Sequence, residues 1–165
     1  METQDSIYFY SHTKGDYVFM SNFYPSVFVD ENNVLFNCTE QYLMYQKCKL
    51  FDPNNNKMLL QILDEKSPGK IKALGRLVDN YDDNQWSNSR YQVMVNGLRL
   101  KFGQNQSIKN KLIQTHPKML YEAAKFDAIW GIGFDVETAI NTDKASFGSN
   151  LLGQALVQVR GELIG

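Results

Sequence analysis

Between Thr39 and Gln114 the sequence reads as one helical stretch after another, while strand-like segments are confined to the two ends. That order constrains the fold class before any motif is considered. Thr39 is suited to cap a helix from Glu40 to about Leu50, because its hydroxyl can accept from the amides of the first turn. Ser67-Pro68 supplies a cap and then a residue with no amide hydrogen to satisfy, and the helix it starts runs through Leu74 and Leu77. Trp86, Val93, Leu98 and Phe102 mark a long amphipathic helix from about Asn84 to Phe102, and a shorter one runs from Ile108 to about Gln114. Asn54, Asn55 and Asn56 read as a polar turn.

The strand signals are short. Ile7–Tyr10, Val27–Val29 and Val34–Phe36 are β-branched or aromatic, and the turn Asp30-Glu31-Asn32-Asn33 predicts a hairpin between the last two. After Pro117, Met119–Ala123 is a further strand candidate, leading into the loop Asp127–Phe134. A last helix begins at Asn150 and carries Leu151, Leu152, Leu156, Val159 and Leu163. Strands, then helices, then a late strand describe an α+β fold rather than alternating β/α.

Composition bounds the rest. With 165 residues, 43% of them hydrophobic, the chain has the size of one domain spanning 1–165. A formal charge of −1 lacks the basic excess of a protein that grips long nucleic acid by its phosphates, though a local pocket for one or two phosphates is compatible with it. Cys38 and Cys48 belong to no C-x-x-C or Cys/His cluster, so both read as reduced thiols and no metal site is expected. The N-terminus METQDSIYFY has no basic segment followed by an apolar run, and no window approaches the roughly 18 apolar residues of a membrane helix. A cytoplasmic protein with no membrane partner is the expectation.

Several residues could carry chemistry. Glu40 lies in the opening turn of its helix, where the positive end of the dipole favours a carboxylate for stability or for catalysis alike. Lys47 follows seven positions later, close to two turns, so it shares a face with Glu40, with Met44 between them. That face is either one wall of a pocket or a solvated helix surface. Trp86 and Trp130 are the only tryptophans; an indole can stack a base or ribose, or simply fill a core. Trp130 is the better stacking candidate because Gly131 and Gly133 beside it let a ligand approach the backbone. Gly148-Ser149-Asn150 precedes a helix, where free amides could hold a phosphate or where Ser or Asn serves as an ordinary cap. His12 and His116 are isolated from any nucleophile or metal set.

Read together, these segments resemble the NADAR superfamily, which includes the YbiA-type N-glycosidases. The stretches that carry the resemblance are Phe9-Tyr10, Phe19 to Pro25, Thr39 to Lys47, Ala73 to Arg76, Trp86, Arg90-Tyr91, Lys101-Phe102, Asp127 to Gly133, Asn150 to Gly153 and Val159-Arg160. The resemblance implies a compact, predominantly helical α+β fold of YbiA-like type with a small sheet. It further implies hydrolysis of a ribose C1–N bond, with no cofactor. Glu40 and Trp130 would then be catalytic. Ser21, Asn22, Phe23, Lys47, Arg76, Trp86, Arg90, Gly131, Ile132, Gly133, Asn150, Leu152 and Gly153 would bind substrate.

Gln41 stands where YbiA-like members have His, and Ile132 where they have Asp after Trp-Gly. Both departures resemble the branch that removes ADP-ribose from guanine. The expected partners are therefore ADP-ribosylated guanine or another ribose-phosphate-bearing small molecule, ADP-ribosylated nucleic acid, and a cognate ADP-ribosylating toxin system. Two alternatives stand beside this: an N-glycosidase of phosphoribosylated riboflavin-pathway intermediates, and a module that binds ADP-ribose or NAD without turning it over.

Overall fold

In the computed structural model, which describes residues 1–165, the chain runs β1 (Ser6–Phe9), β2 (Phe28–Val29), β3 (Leu35–Phe36), α1 (Thr39–Phe51), α2 (Asn56–Asp64), α3 (Pro68–Gly75), α4 (Asp83–Gly103), α5 (Gln106–Gln114), β4 (Met119–Glu122), α6 (Val136–Ala139) and α7 (Leu151–Ile164). Seven helices and four short strands in two separate two-stranded sheets make this the α+β, predominantly helical fold that the sequence indicates. The chain forms two compact units, Asn22–Asn105 and Met1–Ser21 with Gln106–Gly165.

In the unit Asn22–Asn105, α1 packs against α2, α3 and α4. The expected hairpin is present: β2 and β3 pair antiparallel, Phe28 opposite Phe36. Their rings stack at 5.7 Å, and the Phe36 ring meets Tyr42 of α1 edge-on at 5.2 Å, so the hairpin joins the helices through one aromatic core. Gly97 of α4 permits this packing, because a Cβ there would lie 2.7 Å from the Tyr42 ring. Lys101, also on α4, is fully buried, its Nζ 5.7 Å from the centre of the Tyr24 ring and 5.2 Å from that of Phe102.

Three local expectations need correction. Thr39 does not cap α1: Cys38 occupies the cap position, and the Thr39 hydroxyl is buried with no partner in the protein. The triple-Asn turn instead starts α2, with the Asn55 side chain accepting from the Met58 amide. And α3, capped by Ser67 with Pro68 following as expected, stops at Gly75, leaving Leu77 outside it and exposed.

In the other unit, β1 and β4 pair in parallel, Ser6 with Met119 through Phe9 with Glu122. Helix α7 packs on β4 and α5. Buried Arg160 fixes that packing by donating from Nη1 to Thr115 Oγ1 at 3.0 Å and to the Lys118 carbonyl at 2.8 Å. Asn150, at φ 51°, turns the chain into α7 and anchors it to β4: its Nδ2 donates to the Leu120 carbonyl at 2.9 Å and its Oδ1 accepts from the Glu122 amide at 3.0 Å. Gly153 completes this contact, since a Cβ there would sit 2.1 Å from the Leu120 carbonyl oxygen.

Candidate active site

Helix α1 presents the first group of functional side chains. The Glu40 amide donates to the Asn22 carbonyl at 3.0 Å, so the loop before the hairpin is tied to the helix start. Glu40 and Asn22 are 6% and 7% exposed. A buried polar atom ordinarily has a hydrogen-bond partner. Asn22 Oδ1 has none in the protein, which leaves a buried acceptor on the residue whose carbonyl holds the Glu40 amide. That acceptor suits a ligand with hydroxyl or amine hydrogens.

Two turns along, Lys47 is half-buried on the same side of α1 as Glu40. Burial pulls its ammonium below the ordinary lysine range; Glu40 opposes that effect and Arg76 adds to it. Arg76, the exposed residue that ends α3, comes close because Gly75 lets α3 approach α1: a Cβ on Gly75 would meet Met44 Sδ at 1.9 Å. Arg90 projects from α4 and its buried Nε has no partner in the protein. Tyr81, which the sequence does not single out, lies under Lys47 Nζ at 4.6 Å and feels the charge of Arg90. One unit thus brings together a carboxylate, an unpartnered acceptor and three cations. Such a set can stabilise positive charge at one point and bind phosphate at another.

The remaining expected residues fall elsewhere. Trp86 is buried, its ring against Phe51 at 6.2 Å, so it serves the core of its unit. Phe23 is half-buried next to Asn22. Ser21 is buried in the other unit, its amide donating to the Val18 carbonyl.

That unit also holds Trp130, on a loop whose backbone is closely fixed. Asp127 Oδ1 accepts from the amides of Ile129 and Trp130 at 2.9 Å each, and the Asp127 carbonyl accepts from Gly133. The indole is half-buried with no aromatic partner. Gly131 is buried where a Cβ would stand 2.8 Å from the carbonyl oxygens of Asp127 and Glu122, and Gly133 adopts φ 79°; both glycines are required by the loop itself. Ile132 and Leu152 are core side chains, 1% and 0% exposed.

The free amides expected before α7 are not free. Ser149, Asn150, Leu151 and Leu152 donate to the carbonyls of Ala128, Gly131, Ile129 and Trp130, so this helix start is closed by protein backbone rather than open to an anion.

Both cysteines are free and buried, and burial raises their thiol pKa values. No three His, Cys, Asp or Glu side chains converge into a set that could hold a metal ion. No helix is long and apolar enough to cross a membrane.

Comparison with known proteins adds a family to this geometry. The model of the NADAR domain matches residues 8–164. N-glycosidase R617 of Acanthamoeba polyphaga mimivirus is 33% identical over 98% of this chain and 98% of its own. Riboflavin biosynthesis protein VVA0006 of Vibrio vulnificus is 29% identical over 97% of this chain, which spans 39% of that longer protein. Among solved structures, the NMR structure of the E. coli protein YbiA superposes with a TM-score of 0.77 at 28% identity, covering 99% of this chain and 88% of that one. The chain therefore belongs to the NADAR family and, with its N-glycosidase relatives, is a hydrolase acting on N-glycosyl bonds.

Proposed function

We propose that the substrate is ADP-ribosylated guanine and that the enzyme hydrolyses the bond between ribose C1 and the guanine nitrogen. The observation that carries this reading is the arrangement around α1: buried Glu40, the unpartnered Asn22 acceptor, and Lys47, Arg76 and Arg90 in the same unit. Three cations suit a diphosphate better than a single phosphate.

Breaking the C–N bond builds positive charge on ribose C1 and the ring oxygen, and a fixed carboxylate stabilises that charge more in the transition state than in the substrate. Glu40 takes this role and accepts a proton from the attacking water. The hydroxyl joins C1, the bonding pair leaves with the guanine nitrogen, and that nitrogen gains the proton. Asn22 Oδ1 accepts from a ribose hydroxyl. Lys47, Arg76 and Arg90 hold the phosphates.

A second reading, a phosphoribosylated pyrimidine as substrate, is favoured by the name of the Vibrio relative. The test is to incubate wild type and Glu40→Gln with an oligonucleotide bearing ADP-ribosylated guanine and, separately, with a phosphoribosylated aminopyrimidine, following products by mass spectrometry. Release of ADP-ribose from the oligonucleotide is expected from wild type, falling about 100- to 1,000-fold in Glu40→Gln. Release from the pyrimidine alone establishes the second reading. Tight binding with release from neither overturns both and leaves a non-catalytic binding module.

A further inference from the structure

Tyr81 occupies a turn built to present it. Asn80, at φ 61°, reverses the chain ahead of α4, and its Nδ2 donates to the Phe51 carbonyl at 3.4 Å, pinning the turn to the end of α1. The Tyr81 ring meets Phe51 edge-on at 5.3 Å, and its hydroxyl donates to Asp83 at 2.9 Å. With three anchors the ring still remains 45% exposed, and Lys47 Nζ lies over it, 4.6 Å from the centroid. That is inside the distance of about 6 Å at which the ring quadrupole attracts a cation.

The charges around Lys47 explain what such a contact does. Its ammonium is partly stripped of water and repelled by Arg76, and Glu40 is the group that favours its charged form. Around Tyr81 stand Arg90, Asp82 and Asp83, with Asp83 holding the hydroxyl. A carboxylate partner would keep Lys47 charged but would also occupy its hydrogen-bond donors. An aromatic face attracts the charge and leaves the donors available for a ligand.

We propose that Tyr81 is a positioning residue for Lys47: its ring holds the ammonium charged and in place on the Glu40 side of α1 while its N–H groups stay free to bind phosphate. This rests on the reading of Lys47 as a phosphate-binding residue. The ring is what matters, so Phe is expected to replace Tyr81 and an aliphatic or amide side chain is not.

The test uses two measurements on the ligand-free full chain and its Tyr81→Phe, Tyr81→Leu and Tyr81→Gln variants. The first is the titration of the Lys47 ammonium, followed by NMR. The second is affinity for inorganic diphosphate. Tyr81→Leu and Tyr81→Gln are expected to lower the proton affinity of Lys47 and to weaken diphosphate binding by about two- to fivefold each, while Tyr81→Phe leaves both as in wild type. In a Lys47→Met background, Tyr81→Leu is expected to change diphosphate binding no further. Unaltered Lys47 titration in both non-aromatic variants, or equal loss of binding with and without Lys47, overturns the proposal. The titration needs no substrate, so the wrong N-glycoside in the functional reading leaves this result standing.

Discussion

The side-chain amide of Gln41 donates to the carbonyl of Ile62 at 2.9 Å, joining the start of α1 to the end of α2. The same nitrogen reaches the carbonyls of Leu63 at 3.1 Å and Glu65 at 3.2 Å, and Oε1 accepts from the Asn37 amide at 2.7 Å. Gln41 is fully buried, so an apolar replacement leaves these backbone groups without their partner and the buried Ile62 carbonyl unsatisfied. Gln41→Leu is expected to lower stability by about 2–4 kcal/mol in urea denaturation. A loss below about 1 kcal/mol would show that the clasp is not a structural necessity.

Asn22 predicts the opposite pattern. Its buried Oδ1 has no partner in the protein, so the free enzyme gains nothing from that hydrogen-bonding capacity. Asn22→Ala is expected to change stability by less than about 1 kcal/mol while weakening ADP-ribose binding about tenfold. Isothermal titration alongside thermal unfolding separates the two effects; unaltered affinity would remove Asn22 from the binding set.

Lys101 makes stability depend on pH. Full burial holds its ammonium far below the ordinary range, at about 7. Above that value the folded lysine is neutral while the unfolded one, with an ordinary pKa of about 10.4, still binds a proton, so this group makes the fold more stable as pH rises. The penalty is fully present below pH 7. Wild type is expected to gain on Lys101→Met between about pH 7 and 10, by up to roughly 1.4 kcal/mol per unit, in denaturation compared across pH. A constant difference between the two proteins would show that Lys101 keeps its proton throughout.

Gly153 tests the seat of α7. The nearest atoms to a Cβ there are the Leu120 carbonyl oxygen and the Asn150 side chain, and a backbone carbonyl cannot move aside as a flexible side chain can. Gly153→Ala is expected to lose more than about 2 kcal/mol of stability. Thermal unfolding at wild-type temperature would mean that α7 shifts freely on β4.

The sequence made α1 legible because a helix repeats: Glu40 and Lys47, seven apart, had to share a face, and the electrostatic coupling between them is present. The α2 signal was available too, in Asn55 as a cap followed by apolar Met58, Leu59, Ile62 and Leu63; three consecutive Asn residues masked it as a turn. What local pattern cannot supply is a distant partner. Nothing near Gln41 announces carbonyls 21 to 24 residues away, and nothing near Asn150 announces that its amide belongs to β4. For the same reason the sequence does not single out Tyr81, whose neighbours Phe51 and Lys47 both belong to α1.

The bond from the Gly148 amide to the Ile132 carbonyl, 2.8 Å long, closes the chain on itself before α7 begins. Everything from Gly133 to Phe147 is therefore an excursion that leaves and re-enters at one fixed gate. Phe134, Val136, Ala139 and Phe147 root that excursion in apolar contacts, while Asn141 at its far side is exposed. Lengthening a closed loop is inexpensive, about 0.6 kcal/mol for each doubling. Inserted residues beside Asn141 would leave the gate, the Trp130 loop and α7 as they are, which makes this the point at which the chain can acquire new sequence without rebuilding its fold.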